Sequence, residues 1–206
     1  MDAGPDVESQ TQLTSIDVIA SALESRERLV AEVGRLSSPD GATTLMLSDI
    51  ADAQSLADAI GAERWAQLLH DQQLLVERVV AHHDGECVTS ERDGFLACFN
   101  GAHAGLRAAI ELQRTFTAPS PGAGPAPALR IGLHSGFVIA NPDQLLGRNV
   151  VLAARIAAHA TGGQILVSST LKQYTETDPS FEFELQGEYH FKGVLGEHAL
   201  YAVRGR

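Results

Sequence analysis

The sequence predicts an α+β fold, an antiparallel sheet with helices stacked on one face, and three observations carry that reading. Strand-like and helix-like periodicities alternate between residues 43 and 140 in the order strand, helix, hairpin, helix, strand. The stretch VTSERDGFLACF has a tight-turn signature at Asp93-Gly94 between two apolar runs. Across 206 residues, 44% are hydrophobic, enough to bury one sizeable core.

The elements follow in order. Residues 1–13 are polar and acidic, include Pro5, and predict a disordered tail. Residues 14–38 predict an amphipathic helix: Ile16, Ile19, Leu23, Val30 and Val33 fall on heptad a and d positions, Arg26 breaks the seam, and Thr14 with Asp17 resembles a capping box. Such a helix either couples two subunits as a short parallel coiled coil or lies on its own domain. The main domain spans 41–206. TTLMLSD (43–49) reads as a strand, and Asp52 to His83 as a helix broken near Gly61, with Trp65, Leu68, Leu69, Leu75, Val76, Val79 and Val80 as its apolar positions. After the hairpin come a helix over roughly 101–117, a surface loop PSPGAGPAP, and the strand LRIGLHSGFVIA. That order is a ferredoxin-like βαββαβ core. A helix from about 148 to 161, the strand GQILVSS, a short helix and the strands FEFELQGEYHF and HALYAV extend it.

Charge narrows the function. The 15 Lys+Arg against 26 Asp+Glu give a net −11, with no basic cluster, so a phosphate backbone is repelled and nucleic acid is excluded as a partner. A nucleotide is still accommodated if divalent cations sit between the two negative groups. MDAGPDVESQ has neither a basic nor an apolar signal region, and no apolar run reaches the roughly 18 residues of a membrane span. With two cysteines, the chain reads as cytoplasmic, in a reducing compartment.

Asp49 ends the first strand and Asp93 sits at the hairpin tip. In a ferredoxin-like sheet these strands are central neighbours, so both carboxylates can converge at one edge. Oxygen ligands without His or Cys suit Mg²⁺ or Mn²⁺. The competing reading is that Asp49 caps the following helix and Asp93 serves the turn.

LMLSDIADAQSLADAIGAERWAQLLHDQ, the hairpin, LRIGLHSG, GRNVVLAARIAAHATGGQILVSS and LQGEYHFKGVLGEHALYAV resemble, in order and spacing, the class III nucleotidyl cyclase catalytic domain over about residues 41–203. The resemblance implies a head-to-tail homodimer that converts a nucleoside triphosphate, ATP or GTP, to a 3′,5′-cyclic nucleotide and pyrophosphate with two Mg²⁺ or Mn²⁺ ions per site. It implies Asp49 and Asp93 as metal ligands and Arg155 as the residue that stabilises phosphate charge from the partner subunit, a role that suits a planar, permanently charged fork.

Several family positions are altered. Thr89 stands where the family has a base-contacting Lys, Gln144 where that Lys has its acidic or Thr partner, and Val151 where it has a ribose-orienting Asn. Thr89 and Gln144 keep donors and acceptors, whereas Val151 cannot hydrogen-bond. Ile50-Ala51-Asp52-Ala53-Gln54 replaces a phosphate-cradling turn, with Asp52 expected as an N-cap, and Arg92 replaces a Gly. Arg92 is expected either to pair with Asp52, Asp49 or Asp93 and partly replace a metal ion, or to be a solvated tip residue. With a turn at Arg92-Asp93, Cys87 falls opposite Cys98, as a redox pair or as two packed thiols. His82-His83 are expected at the surface and His134 in the core, none with partners at metal spacing. The resemblance supports a cyclase, weak or with atypical base preference; the alternative is an inactive homologue that binds a nucleotide or a regulatory partner.

Overall fold

The structure, a computed structural model, describes residue 16 and residues 42–117, 127–137 and 142–205. Seven strands form one sheet: β1 (Ala42–Ile50), β2 (Gly85–Glu91), β3 (Gly94–Phe99), β4 (Leu129–Phe137), β5 (Ile165–Ser168), β6 (Phe181–Tyr189) and β7 (His198–Gly205). The helices are α1 (Ala53–Ile60), α2 (Ala62–His82), α3 (Ala102–Phe116), α4 (Pro142–His159) and α5 (Ser169–Thr175). The strand order is β2-β3-β1-β4-β5-β7-β6. Its first four strands are the expected ferredoxin-like core, β1 pairing antiparallel with both β3 and β4. The C-terminal strands extend the sheet, β5 joining parallel to β4 and β7 antiparallel to β5.

Every residue of β1 is buried, because the strand is covered on both faces. Met46 and Ile50 point into a cluster with Val76, Val79 and Val80 of α2 and Leu106, Ala109 and Leu112 of α3. Leu45 and Leu47 point the other way, onto Val150, Ala153, Ala154 and Ala157 of α4. Two-sided burial is why TTLMLSDI lacks the apolar-polar alternation of a half-exposed strand.

The two core helices α2 and α3 share one face, as expected, and α4, which follows the βαββαβ core, covers the other. The physical reason lies in small residues: a Cβ added to Gly132 of β4 would lie 2.2 Å from the backbone N of Ala157, so only glycine lets α4 seat there. The same helix begins at Pro142, six residues before the expected start, with proline at a first-turn position that needs no N–H donor. The break at Gly61 is as expected, with φ 82 there separating α1 from α2.

The hairpin register also differs from the simple reading. Arg92 and Asp93 form the two-residue turn, since Glu91 pairs with Gly94, but a bulge between Cys87 and Thr89 sets Cys87 opposite Ala97 and Glu86 opposite Cys98. Cys98 packs on the α4 side and Cys87 against the α2 side, so the thiols lie on opposite faces. Ile16 is helical and fully buried against Leu45, Leu47, Leu96, Cys98 and Val150. Otherwise the expected tail (1–13) and helix (14–38), like the loop at 118–126, lie outside the described residues.

Candidate functional site

Asp49 is the next-to-last residue of β1, and Asp93 immediately precedes β3. Because Ser48 pairs with Phe95, the antiparallel register brings both acidic positions to the same end of neighbouring central strands. Asp49 is 1% exposed. It neither caps a helix nor faces bulk water: Arg130, directly across on β4, grips it with two hydrogen bonds, Nε donating to Oδ1 at 2.8 Å and Nη2 to Oδ2. The Arg130 side chain is 22% exposed. A carboxylate this deeply buried requires a cation or several donors, and the bidentate guanidinium supplies both.

Sequence reasoning missed Arg130. Its signal was present: Asp49 is the single charge in TTLMLSDI and Arg130 the single charge in LRIGL, in two strands otherwise apolar enough to be buried. Arg92 takes no part. Among the described residues it forms no ion pair with Asp49, Asp52 or Asp93, which corrects that expected pairing. Its backbone has φ 55, the left-handed region where a family glycine sits without strain. Exposed, Arg92 lines a cavity of about 240 Å³ behind the hairpin with Gln72, Glu77, Cys87 and Phe95. There the amide of Gln72 donates to the Asp93 carbonyl at 3.1 Å, tying α2 to the turn. Asp52 does occupy the N-cap position of α1, but with φ 52 and no side-chain cap hydrogen bond.

The remaining positions divide between the hairpin and α4. Thr89 pairs with Leu96, whose side chain lies in the α4-facing cluster, so Thr89 is half-buried on that face. Val151 and Arg155, four residues apart, share one side of α4, both partly exposed. Gln144 falls near the start of that helix. Asn149 does not replace the amide missing at Val151. Two residues back is a half-turn around the helix, and Asn149 faces the sheet, its Oδ1 3.3 Å from His134 Nε2. The other ring nitrogen, Nδ1, lies 2.9 Å from Ser168 Oγ, which caps α5 by accepting from Leu171 N–H. His134 is 6% exposed, as expected of a core residue, and burial pushes its pKa down to about 4, opposed by the Asn149 hydrogen bond and aided by the charge of His198. A neutral ring donating from Nε2 and accepting at Nδ1 satisfies the whole chain.

Cys87 is held protonated. Burial, followed by Glu77 and Glu86, pushes its pKa up to about 12. Together with the separation of the two thiols, this favours packed cysteines over a redox pair.

An antiparallel ferredoxin-like core, two acidic positions at one strand edge and an Arg-bearing helix on the far face define a nucleotide-cyclase type of domain. Residues 37–205 match the family described as adenylate and guanylate cyclase catalytic domain, and the chain belongs to that family. It is 31% identical over 139 residues to an uncharacterized protein of Mycobacterium tuberculosis, a match covering 67% of this chain and 46% of the relative, so the chain spans about half that relative's length. Among solved structures it is similar to an adenylate/guanylate cyclase/hydrolase from Silicibacter pomeroyi, at 25% identity and TM-score 0.63, covering 79% of this chain and 95% of the other. The fold also matches the guanylate cyclase domain of a protein from Catenaria anguillulae solved with GTP, at 20% identity and TM-score 0.68, covering 81% and 97%. Among the described residues, no helix is long and apolar enough to cross a membrane.

Proposed function

We propose that this chain is a metal-dependent nucleotidyl cyclase of low turnover and altered base preference, which acts as a homodimer on ATP or GTP to form the 3′,5′-cyclic nucleotide and pyrophosphate. The supporting observation is the pair of acidic positions brought to one end of β1 and β3. The donor set fits the ions the reaction requires, since carboxylates without His or Cys suit Mg²⁺ or Mn²⁺. When bound, two such ions orient the attacking oxygen and neutralise charge on the triphosphate.

The chain's own groups divide the remaining work. Asp49 and Asp93 hold cationic charge at the strand edge. Arg130, once released from Asp49, stands at that edge as a fork suited to phosphate oxygens. Arg155 offers the same fork across the dimer. Thr89 and Gln144 contact the base with neutral hydrogen-bonding groups, which changes its selection. Val151 leaves the ribose unoriented, and a lost orienting contact lowers turnover by about two orders of magnitude.

A second reading, an inactive homologue that binds a nucleotide or a regulatory partner, draws on Thr89, Gln144 and Val151 and on the guanidinium already held by Asp49. One experiment separates the two. Purified protein is incubated with Mn²⁺ and each of ATP, GTP, CTP and UTP, products are read by mass spectrometry, and Asp93→Ala is the control. A cyclic product that disappears in Asp93→Ala supports the enzyme. No product from any nucleotide, with a nucleotide-dependent thermal shift, supports the binding module.

A further inference from the structure

His82 and His83 were expected at the surface with no partner at metal spacing, yet the fold brings both beside Glu111. His82 ends α2, His83 follows it as the C-cap, and Glu111 projects from the third turn of α3. His83 Nε2 lies 2.8 Å from Glu111 Oε2, and the two imidazoles meet edge to face with centroids 5.0 Å apart. One ligand atom from each residue lies within 4.8 Å of the others. From these observations we infer a second, separate metal site: His82, His83 and Glu111 bind one first-row transition ion, Zn²⁺ by preference.

Donor chemistry sets the class of ion. Two imidazoles and one carboxylate favour Zn²⁺, Co²⁺, Ni²⁺ or Cu²⁺ over Mg²⁺ or Ca²⁺, which prefer all-oxygen sets. With bonds of about 2.0–2.2 Å, a tetrahedral ion holds its ligand atoms roughly 3.3 Å apart. The ligand atoms already lie within 4.8 Å of one another, so binding needs the 2.8 Å His83–Glu111 contact to open slightly and His82 to close in.

The surroundings also favour a cation. The site sits at the carbonyl end of the 21-residue α2, where the helix dipole presents negative charge. His82 is exposed and Glu111 partly so, which gives an ion a path in and leaves the fourth position to water. Glu111 is fixed within α3, and His83 is half-buried. A bound ion therefore pins the end of α2 to α3, just before β2 begins at Gly85. Asp93 lies beyond the opposite end of β2, so the two sites share no residue.

The test uses the whole chain, stripped with a chelator and titrated with Zn²⁺ by calorimetry, with Co²⁺ absorption reporting coordination number. Wild type and Asp93→Ala run in parallel, so that the carboxylate edge cannot supply the signal. The site predicts one ion bound in both proteins, a four-coordinate Co²⁺ spectrum, and a rise in Tm of roughly 5–10 °C at a hundredfold excess over Kd. It also predicts affinity falling at least about tenfold in His82→Ala and in Glu111→Gln. His82 is exposed, so its removal leaves folding intact. No binding at millimolar Zn²⁺, binding unchanged in both variants, or binding lost in Asp93→Ala would each overturn the assignment.

Discussion

Replacing Arg130 by Met tests how Asp49 is held. The substitution keeps the length and much of the apolar stem but removes the charge, leaving a carboxylate that is 1% exposed with its cation gone. Breaking a buried ion pair from one side costs about 3–5 kcal/mol. Arg130 is 22% exposed, so water reaches part of the gap, and the lower end, about 3 kcal/mol, is expected. For a chain of this size that corresponds to a fall in Tm of roughly 6–12 °C, measurable by circular dichroism or urea titration. Two further measurements identify the cause. Asp49→Asn in the Arg130→Met background removes the stranded charge and should recover more than half of the loss. Millimolar Mn²⁺ should also stabilise Arg130→Met more than wild type, because the ion no longer competes with that guanidinium for Asp49. A loss below 1 kcal/mol, or a double variant no more stable than the single, would refute the reasoning.

Three other predictions follow from the same geometry. Because folding lowers the pKa of His134 from 6.5 to about 4, protonation favours the unfolded chain; stability is fully present above pH 6.5 and declines by about 3 kcal/mol toward pH 4, and His134→Asn should flatten that part of the pH profile in urea melts. Arg92→Gly should stabilise the protein by about 1 kcal/mol, since φ 55 strains any residue with a Cβ and Arg92 forms no ion pair among the described residues; destabilisation would mean that its side chain has an anchoring role. With its pKa near 12, Cys87 should react with a thiol reagent at pH 8 about 10³-fold more slowly than an ordinary thiol, and denaturant should abolish the difference.

Much of the fold was legible because its signals are local. Gly61 broke the long helix, Asp93-Gly94 marked the hairpin, and the order of the first four strands followed from the ferredoxin-like element order. The placement of α4 was not legible, because it depends on Gly132 lying under Ala157, a contact between residues 25 apart in sequence. The bulge beside Val88 escaped for a similar reason: it leaves turn chemistry unchanged and shows only in the pairing of Cys87 with Ala97. At the candidate site, the edge shared by Asp49 and Asp93 was readable from topology. The guanidinium on Asp49 required register, and the His82, His83 and Glu111 cluster required the packing of α2 on α3.

The central claim, a cyclase site shared between two copies of this chain, is tested most directly by mixing two inactive variants. Asp93→Ala lacks a carboxylate at the strand edge and Arg155→Ala lacks the fork proposed to bind phosphate, so each should give no cyclic product alone with Mn²⁺ and the preferred triphosphate. Mixed in equal amounts and allowed to exchange subunits, half of the dimers contain one intact site of two, and about a quarter of wild-type activity should return. No recovery, with subunit exchange demonstrated, would contradict the shared site, and equal activity in the separate variants and wild type would contradict the assignment of both residues.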